Sequence, residues 1–273
     1  MRIVSCIIIL QLLAVACQSP SQKDRAVDHS ADNMSVDSAI PIIDYQLMPS
    51  PSLYSKDVIM GKLIESRDSN FVLIKSPYSS RDGMYLRREA LESFMSMADA
   101  AKKDGVSLVI ISAMRNYDRQ RAIWEAKWNG VRLVSGRRLP ESHPDHVQRA
   151  LKILEYSSMP GSSRHHWGTD IDINALENSY FAQGRGAQEY AWLIEHAASY
   201  GWCQPYSSKA DSDRSGYEEE KWHWSYLPIA RELTDLAERE LRNDDFDGFD
   251  GSETAGEIDI IGAYILGVDG SCR

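Results

Sequence analysis

The sequence lacks an excess of positive charge and lacks internal repeats. It has 30 Lys and Arg residues against 40 Asp and Glu, a formal net charge of -10. Because no basic field is present to hold phosphate backbones, we exclude nucleic acid as a partner. With 43% hydrophobic and 26% charged residues, 17 Gly and 10 Pro, the composition also excludes a collagenous, disordered or multi-spanning membrane protein. One sizeable globular domain with small appendages is therefore expected.

The first apolar run is too short for a membrane-spanning helix and is typical of a secretory signal. It ends in Ala14 and Ala16 directly before Cys17, followed by polar residues. This arrangement resembles a bacterial lipoprotein signal, in which the cysteine is lipidated and becomes the new N-terminus. An ordinary cleaved signal is the alternative. We predict a signal peptide at 1–16, a lipidated Cys17 with a flexible tether over 17–40, and one domain over 41–273.

Only two cysteines remain in the predicted domain, because Cys6 leaves with the signal and Cys17 is used for lipid. Cys203 and Cys272 can form one disulfide in an oxidising compartment, and we predict that they do. Two buried free thiols are the alternative.

Hydrophobic periodicity predicts a mixture of helices and short strands in irregular order, which is typical of an α+β fold with a small antiparallel sheet flanked by helices. In the segment Thr169–Asn174, the isoleucines face a core while Asp170 and Asp172 share the opposite face. Helices are predicted at 88–104, 117–128, from about 144, at 187–200, about 228–242 and 253–266, and strands at 106–112, 169–174 and 221–227.

Three of the seven histidines lie beside carboxylates and tryptophans in two segments that look like strands. His165 and His166 precede the two aspartates, and His223 follows Glu220 by three residues. Two imidazoles and one carboxylate are a common ligand set for a catalytic zinc ion, which also needs an open position for water. Glu220 would then remain as an unbound base, and the predicted cofactor is Zn²⁺.

This arrangement requires a bend in the backbone. His165 and Asp172 are an odd number of residues apart, so they would face opposite ways on an unbroken strand. Gly168 is the natural place for the chain to turn. Periodicity alone does not choose between Asp170 and Asp172 as the ligand.

These residues resemble the VanY-like D-alanyl-D-alanine carboxypeptidases, which belong to a wider group of zinc peptidases acting on bacterial cell-wall peptides. The group pattern is Ser-x-His-x-x-Gly-x-(small)-x-Asp, then Glu-x-x-His. The sequence matches it with Ser163, His165, Gly168, Asp172, Glu220 and His223, and its segment 112–120 (SAMRNYDRQ) is similar to the family's Ser-Gly-Tyr-Arg-Ser-Tyr segment. There are two departures: Ala113-Met114 replaces Gly-Tyr, and acidic Asp170 replaces a small residue.

The resemblance implies a role for each matched residue. His165, Asp172 and His223 would be the zinc ligands, and Glu220 would be the general base. Arg115 would stabilise the tetrahedral intermediate, and Ser163 is a candidate for hydrogen bonding to substrate. Several of these residues have alternative interpretations. His166 could pack beside the site or touch substrate, and Arg115 could pair with a surface acid. His143 with His146 could be a solvated helix start or a metal-binding pair.

The expected function is zinc-dependent hydrolysis of an amide bond in peptidoglycan stem peptides, with release of a C-terminal D-alanine. An endopeptidase with the same zinc chemistry and a non-catalytic peptidoglycan-binding lipoprotein are the alternatives. The predicted location is the bacterial cell envelope, in the periplasm or on the outer surface. A lipid must supply the membrane anchor, since an acidic chain has no electrostatic attraction to anionic lipids.

Overall fold

The structure, a computed structural model, describes residues 54–273. The predicted signal at 1–16, the lipidation site Cys17 and the tether at 17–40 lie outside the described residues. Within 54–273 the chain forms seven α-helices and two antiparallel sheets. The architecture is α+β, as the sequence predicts.

Two of the helices begin at residues whose side chains cap them. Asn116 caps α3 (Tyr117–Trp128) by accepting a hydrogen bond from the amide of Arg119 at 3.0 Å, and Asp145 caps α5 (His146–Ile153) in the same way. Among the described residues no helix is both long enough and apolar enough to cross a bilayer. The helices are α1 (Lys56–Ile59), α2 (Arg88–Lys103), α3 (Tyr117–Trp128), α4 (Leu139–Ser142), α5 (His146–Ile153), α6 (Gly184–His196) and α7 (Leu227–Glu240).

The larger sheet has four short strands, all paired antiparallel, in the order β3 (Ile110–Ser112), β4 (Asp170–Ile173), β6 (His223–Tyr226) and β5 (Trp202–Cys203). The smaller sheet is a two-stranded pair, β1-β2. Its second strand leads directly into α2. The strands are β1 (Phe71–Leu73), β2 (Tyr85–Arg87), β3 (Ile110–Ser112), β4 (Asp170–Ile173), β5 (Trp202–Cys203) and β6 (His223–Tyr226).

Strand β4 lies in the middle of the larger sheet, and both of its faces are buried. Ile171 and Ile173 pack into a hydrophobic cluster that includes Phe94 of α2 and Leu193 of α6. Successive side chains of a strand point to opposite faces, so Asp170 and Asp172 point away from this cluster. A second cluster is formed largely by α3, α5, α7 and the C-terminal segment, and it contains Trp167, which directly precedes Gly168. The polar face of β4 is therefore not part of the first cluster.

Three secondary-structure elements predicted from the sequence differ from the structure in their bounds or their type. Residues 106–109 are not a regular strand, because the side chain of Asn174 accepts a hydrogen bond from the Val109 amide and replaces a ladder partner. The last strand begins only at His223, since the chain first turns after Glu220. The predicted helix at 253–266 is instead a short 3₁₀ turn at Ser252–Thr254, a run of turns and a π-helix at Ile260–Ile265.

The C-terminal segment is fastened to the larger sheet by a disulfide. Cys203 of the edge strand β5 is joined to Cys272, 69 residues later in the sequence. Both cysteines are buried within the second hydrophobic cluster. The bridge therefore joins the sheet edge to the end of the chain.

Candidate metal centre and active site

The pairing of β4 with β6 places two pairs of polar side chains on the face opposite the isoleucines. Asp172 lies directly across from His223, and Asp170 lies across from Ser225. Residues opposite each other on antiparallel strands have Cβ atoms about 4.5–5.5 Å apart, close enough for direct contact. His223 Nδ1 is 3.1 Å from Asp172 Oδ1. The alternation seen in the sequence puts Asp172 on the polar face, and the register of β4 with β6 brings it to His223.

His165 reaches the same face because the chain turns before β4. It lies in a 3₁₀ turn, Arg164–Trp167, and not in a strand as the sequence suggested. The turn ends at Gly168 with φ of 66°, a left-handed conformation that favours glycine. His165 Nε2 then lies 3.4 Å from Asp172 Oδ1. The bend predicted at Gly168 is confirmed.

Three residues form the one group of potential metal ligands that the described residues contain: His165, Asp172 and His223. All three are buried, and one ligand atom from each lies within 4.8 Å of the others. His143 and His146 do not take part in this group, and His146 is paired with Glu253 instead. The structure therefore brings together the three ligands that the family resemblance implies.

The hydrogen bonds around this group fit a bound metal. The nitrogens that face away from Asp172 are both occupied: His165 Nδ1 is 2.9 Å from the carbonyl oxygen of Ala113, and His223 Nε2 is 2.9 Å from Asp170 Oδ2. Histidines that bind metals almost always donate their other ring N–H to a carbonyl or carboxylate, which orients the ring. This leaves His165 Nε2 and His223 Nδ1 to face a common point beside Asp172.

The two imidazoles have different electrostatic surroundings. Burial, reinforced by the charge of Arg115, lowers the pKa of His165 to about 4, so its ring is neutral at neutral pH. Burial alone would lower the pKa of His223 as well, but hydrogen bonds to Asp170 and Asp172 outweigh it and raise this pKa to about 9. A metal ion that binds His223 therefore has to displace a proton.

Asp170, the acidic departure from the family pattern, is fully enclosed and fully hydrogen-bonded. Besides His223, it accepts bonds from Arg164 Nε at 3.1 Å, Ser225 Oγ at 2.7 Å and Thr169 Oγ1 at 2.8 Å. Burial alone would raise the pKa of Asp170, but the charges of Arg164 and His223 outweigh it and lower the pKa below its usual range. Asp170 thus supports His223 from behind and is not one of the three converging groups.

Glu220 lies beside the group without belonging to it. Its Oε2 is 3.4 Å from His223 Nδ1, and the chain turns between the two residues through a hydrogen bond from the His223 amide to the Glu220 carbonyl. Burial raises the pKa of Glu220 to about 8, with opposing contributions from the charges of His223 and Arg115 and a further increase from Asp172. A carboxyl group whose pKa lies close to neutral can both accept and return a proton.

Arg115 lies in the segment between β3 and α3 and is held there by its backbone. Its amide donates to the His165 carbonyl at 3.2 Å, and its carbonyl is 2.6 Å from His166 Nδ1. The guanidinium donates to Ser112 Oγ at 3.3 Å, while its Nε has no partner within the described residues. Ser163 is also buried, and its Oγ likewise lacks a partner there. Both side chains retain hydrogen-bonding capacity.

One cavity of about 260 Å³ joins these groups. Its polar walls include the three potential ligands, Glu220, Arg115 and Ser163, and aromatic side chains such as Tyr156 and Trp222 also line it. Sequence reasoning missed Lys127, which also lines the cavity and belongs to no motif. The sequence pattern that could have identified Lys127 is helical spacing, because Gln120, Trp124 and Lys127 occupy positions i, i+4 and i+7 on one face of α3.

His166 is a second residue whose position the sequence did not settle. Its ring is buried, with Nδ1 at the Arg115 carbonyl and Nε2 accepting from the Gly161 amide at 3.2 Å. Burial lowers its pKa to about 3. His166 is thus a neutral neighbour that ties the Arg115 segment to the loop before Ser163, and it is not a ligand.

Comparison with known proteins adds to this geometry. The sequence profile of one family, described as VanY: D-alanyl-D-alanine carboxypeptidase, matches residues 83–229, just over half of the chain. "Putative carboxypeptidase YodJ" of Bacillus subtilis (strain 168) is 34% identical over 146 residues, which are 52% of this chain and 46% of that protein. A D-alanyl-D-alanine carboxypeptidase of Enterococcus faecalis (strain ATCC 700802 / V583) is 26% identical over 134 residues, 48% of this chain and 44% of the relative.

Solved structures resemble the chain as well. A structure titled "VanYB in complex with D-Alanine-D-Alanine" is 21% identical with a TM-score of 0.45, covering 62% of this chain and 90% of its own. This chain spans less than half the length of the two relatives named above. The family match itself extends from β2 into the start of α7 and encloses all six residues of the site. The chain belongs to the VanY family of D-alanyl-D-alanine carboxypeptidases.

Proposed function

We propose that this chain hydrolyses an amide bond in peptidoglycan stem peptides and releases a C-terminal D-alanine, with a zinc ion held by His165, Asp172 and His223. The observation that carries the proposal is the convergence of these three buried side chains on a cavity that also contains Glu220 and Arg115. Family membership supports the same class of reaction. Two imidazoles and one carboxylate suit zinc as a catalytic ion.

In this proposal zinc, when bound, supplies a Lewis acid that polarises the scissile carbonyl and makes water more acidic. Glu220 accepts a proton from the attacking water and returns it to the leaving amine. Burial suits the carboxyl group for both steps, because the group gains and loses its proton close to neutral pH. Desolvation is therefore what makes Glu220 a better base than an exposed glutamate.

Arg115 and Ser163 act on the peptide. The Arg115 guanidinium, with an unpartnered Nε, is free to stabilise the negative charge that develops on the carbonyl oxygen. Its backbone bonds to His165 and His166 fix it relative to the ligands. The Ser163 hydroxyl offers a hydrogen bond to the peptide backbone. An endopeptidase could use all these groups as well, and a non-catalytic binding protein would not need Glu220.

We also propose that the chain works in the bacterial envelope, attached to a membrane by lipid on Cys17. The signal-like run before Cys17 and the polar segment after it support this. Replacing Cys17 by Ala and following the protein through membrane fractionation tests the anchor. A Cys17→Ala protein that stays with the membrane through a detergent-sensitive association would contradict it.

The reaction is tested by incubating the zinc-loaded protein with defined muropeptides and weighing the products by mass spectrometry. We expect loss of one alanine from the C-terminus of a pentapeptide stem. Glu220→Gln should keep about one zinc per chain while turnover falls by roughly 10²–10⁴-fold. Cleavage only inside the stem or a crossbridge would favour the endopeptidase, and full activity of Glu220→Gln would refute the mechanism.

A further inference from the structure

Lys127 lies in the wall of the cavity that contains the metal ligands and Glu220, although nothing in the motifs points to it. It belongs to the last turn of α3, and its side chain is partly buried. Its ammonium group makes one hydrogen bond, to Ser157 Oγ. A lysine ammonium has three protons to donate, so two of them remain without a partner within the described residues.

The charge of Lys127 has no carboxylate partner among residues 54–273. The charged groups that act on it most are Arg132 and Arg115, which share its sign, followed by Glu220. Burial and these two arginines lower the pKa of Lys127 to about 8. Arg132 and Arg115 also line the cavity, and neither forms an ion pair within the described residues.

Lys127, Arg115 and Arg132 line one cavity and form no ion pair within the described residues, in a chain with ten more acidic than basic residues. Burying a cation against others of the same sign costs free energy, and an anion arriving from outside recovers it. The arrangement is therefore complementary to an anionic ligand.

We infer that Lys127, oriented by Ser157, binds the free α-carboxylate at the end of the substrate peptide, with Arg132 at the rim of the same site. This inference rests on the proposed function and makes it more specific, because a carboxylate-binding lysine selects for cleavage next to a chain end. The ligand class is a peptide with an unblocked C-terminus. An amidated or crosslinked C-terminus offers no charge to Lys127.

The geometry supports a carboxylate close to the scissile bond. One residue of extended peptide spans about 3.3–3.6 Å, and the cavity of about 260 Å³ holds Lys127 together with His165, Asp172 and Glu220. A peptide that places its scissile carbonyl at the ligands would therefore extend its terminal carboxylate into the cavity that Lys127 lines. Arg115 remains available for the carbonyl oxygen, since Lys127 satisfies the carboxylate.

The test compares a peptide ending in D-alanyl-D-alanine with its C-terminal amide, by calorimetric binding to the zinc-loaded Glu220→Gln protein. We expect the free acid to bind about 10- to 100-fold more tightly than the amide. Lys127→Met and Lys127→Gln should each abolish most of that preference, and Lys127→Arg should restore part of it. Lys103→Met, which removes an exposed lysine from the last turn of α2, is the matched control and should keep the preference.

Urea unfolding of each variant separates a binding role from a structural one, since relief of ammonium burial should leave Lys127→Met about as stable as the starting protein. An acid-over-amide preference that persists in both Lys127→Met and Lys127→Gln, or that is absent before mutation, overturns the inference. If the protein with Glu220 intact hydrolyses muropeptides but shows no preference for the acid over the amide, the proposed function still holds. A Lys127-dependent preference without hydrolysis of any muropeptide refutes the proposed function alone.

Discussion

His223 lies between two carboxylates that have different roles. Asp172 faces the point where His165 Nε2 and His223 Nδ1 converge, whereas Asp170 bonds the far nitrogen of His223 and is neutralised by Arg164. The ion pair between Arg164 and Asp170 has no solvent exposure on either side chain. A buried charge of this kind is retained only when its partners satisfy it fully, as they do here. Asp170 therefore orients His223, one of the three potential metal ligands.

We predict that Asp172→Ala loses zinc, whereas Asp170→Asn keeps the site but binds zinc about 10- to 100-fold more weakly, as is typical when the hydrogen-bond partner of a metal-binding histidine is removed. Zinc affinity is measured by competition with a chelating dye. Ser225→Ala is the matched control, because it removes one donor to Asp170 and leaves the bond to His223 intact. Undiminished zinc affinity of Asp170→Asn would count against a positioning role.

Glu220 should make the stability of the metal-free protein depend on pH. Its pKa is raised from 4.5 to about 8 in the folded state, mainly by burial. Between these values the folded state holds a proton that the unfolded state has released, so this contribution to stability is complete below pH 4.5 and declines as pH rises toward 8. We expect Glu220→Gln to weaken the decline between pH 5 and 8.

The measurement is the free energy of unfolding in urea at a series of pH values, after removal of metal with a chelator. The difference between the two proteins removes the contributions of titrating groups far from Glu220 and reports Glu220 together with its neighbour His223. A difference that stays constant from pH 5 to pH 8 would show that Glu220 titrates at its ordinary pKa. The metal-loaded protein serves as the comparison, since bound metal changes the electrostatics of the site.

At the scale of elements, the site depends on a turn that precedes a strand. The odd spacing of His165 and Asp172 required a bend, and the glycine between them identified its position, so this part of the site could be predicted from sequence. The larger sheet could be predicted less well. Val109 forms hydrogen bonds with Asn174 that no periodicity reveals, and the turn from Glu220 to His223 shortens β6.

Two further features of the structure could not be predicted from the sequence. Ser157 and Lys127 are brought together by the packing of α3 against α5 and the loop that follows it. The 253–266 segment has enough apolar residues for a helix, but Asp259 adopts φ of 52° and interrupts it. Local sequence motifs identify the potential metal ligands. The hydrogen bonds and charges around those ligands depend on tertiary contacts, which the motifs do not show.

We predict that Gly168→Ala destabilises the fold and weakens metal binding together. A Cβ atom at this position would lie 2.2 Å from the ring of Phe71, in addition to the strain of a left-handed alanine. The left-handed conformation costs about 1–2 kcal/mol, and overpacking adds about 1–3 kcal/mol. Gly136→Ala is the matched control, because Gly136 has φ of 74° but open space around it.

Urea unfolding and zinc affinity of the two glycine variants are measured side by side. Gly136→Ala should show the conformational cost alone and unchanged zinc affinity. Gly168→Ala should lose more stability and displace His165, which lies three residues before it. Equal losses of stability in the two variants would mean that Phe71 moves aside at no cost.

At the scale of the whole molecule, the fold is stabilised by two hydrophobic clusters, one of which contains Ile171 and Ile173 of β4. The C-terminal segment supplies part of the second cluster, through Ile260, Ile265 and Val268. This segment contains little regular helix. The disulfide from Cys203 to Cys272 joins its end covalently to β5. Loss of the bridge should therefore loosen the C-terminal side of the molecule first.

We predict that the double variant Cys203→Ala/Cys272→Ala loses about 4 kcal/mol of unfolding free energy, because the bridge closes a loop of 69 residues whose entropy the unfolded chain regains. Urea unfolding gives this number, and Cys203→Ala alone should lose about as much as the double variant, since either change breaks the bond. Hydrogen exchange should show the added opening at 260–272 before it reaches β4. Non-reducing peptide mapping of the purified protein supplies the direct check: if both cysteines are alkylated without prior reduction, the bridge is absent and the predicted loss of stability has no cause.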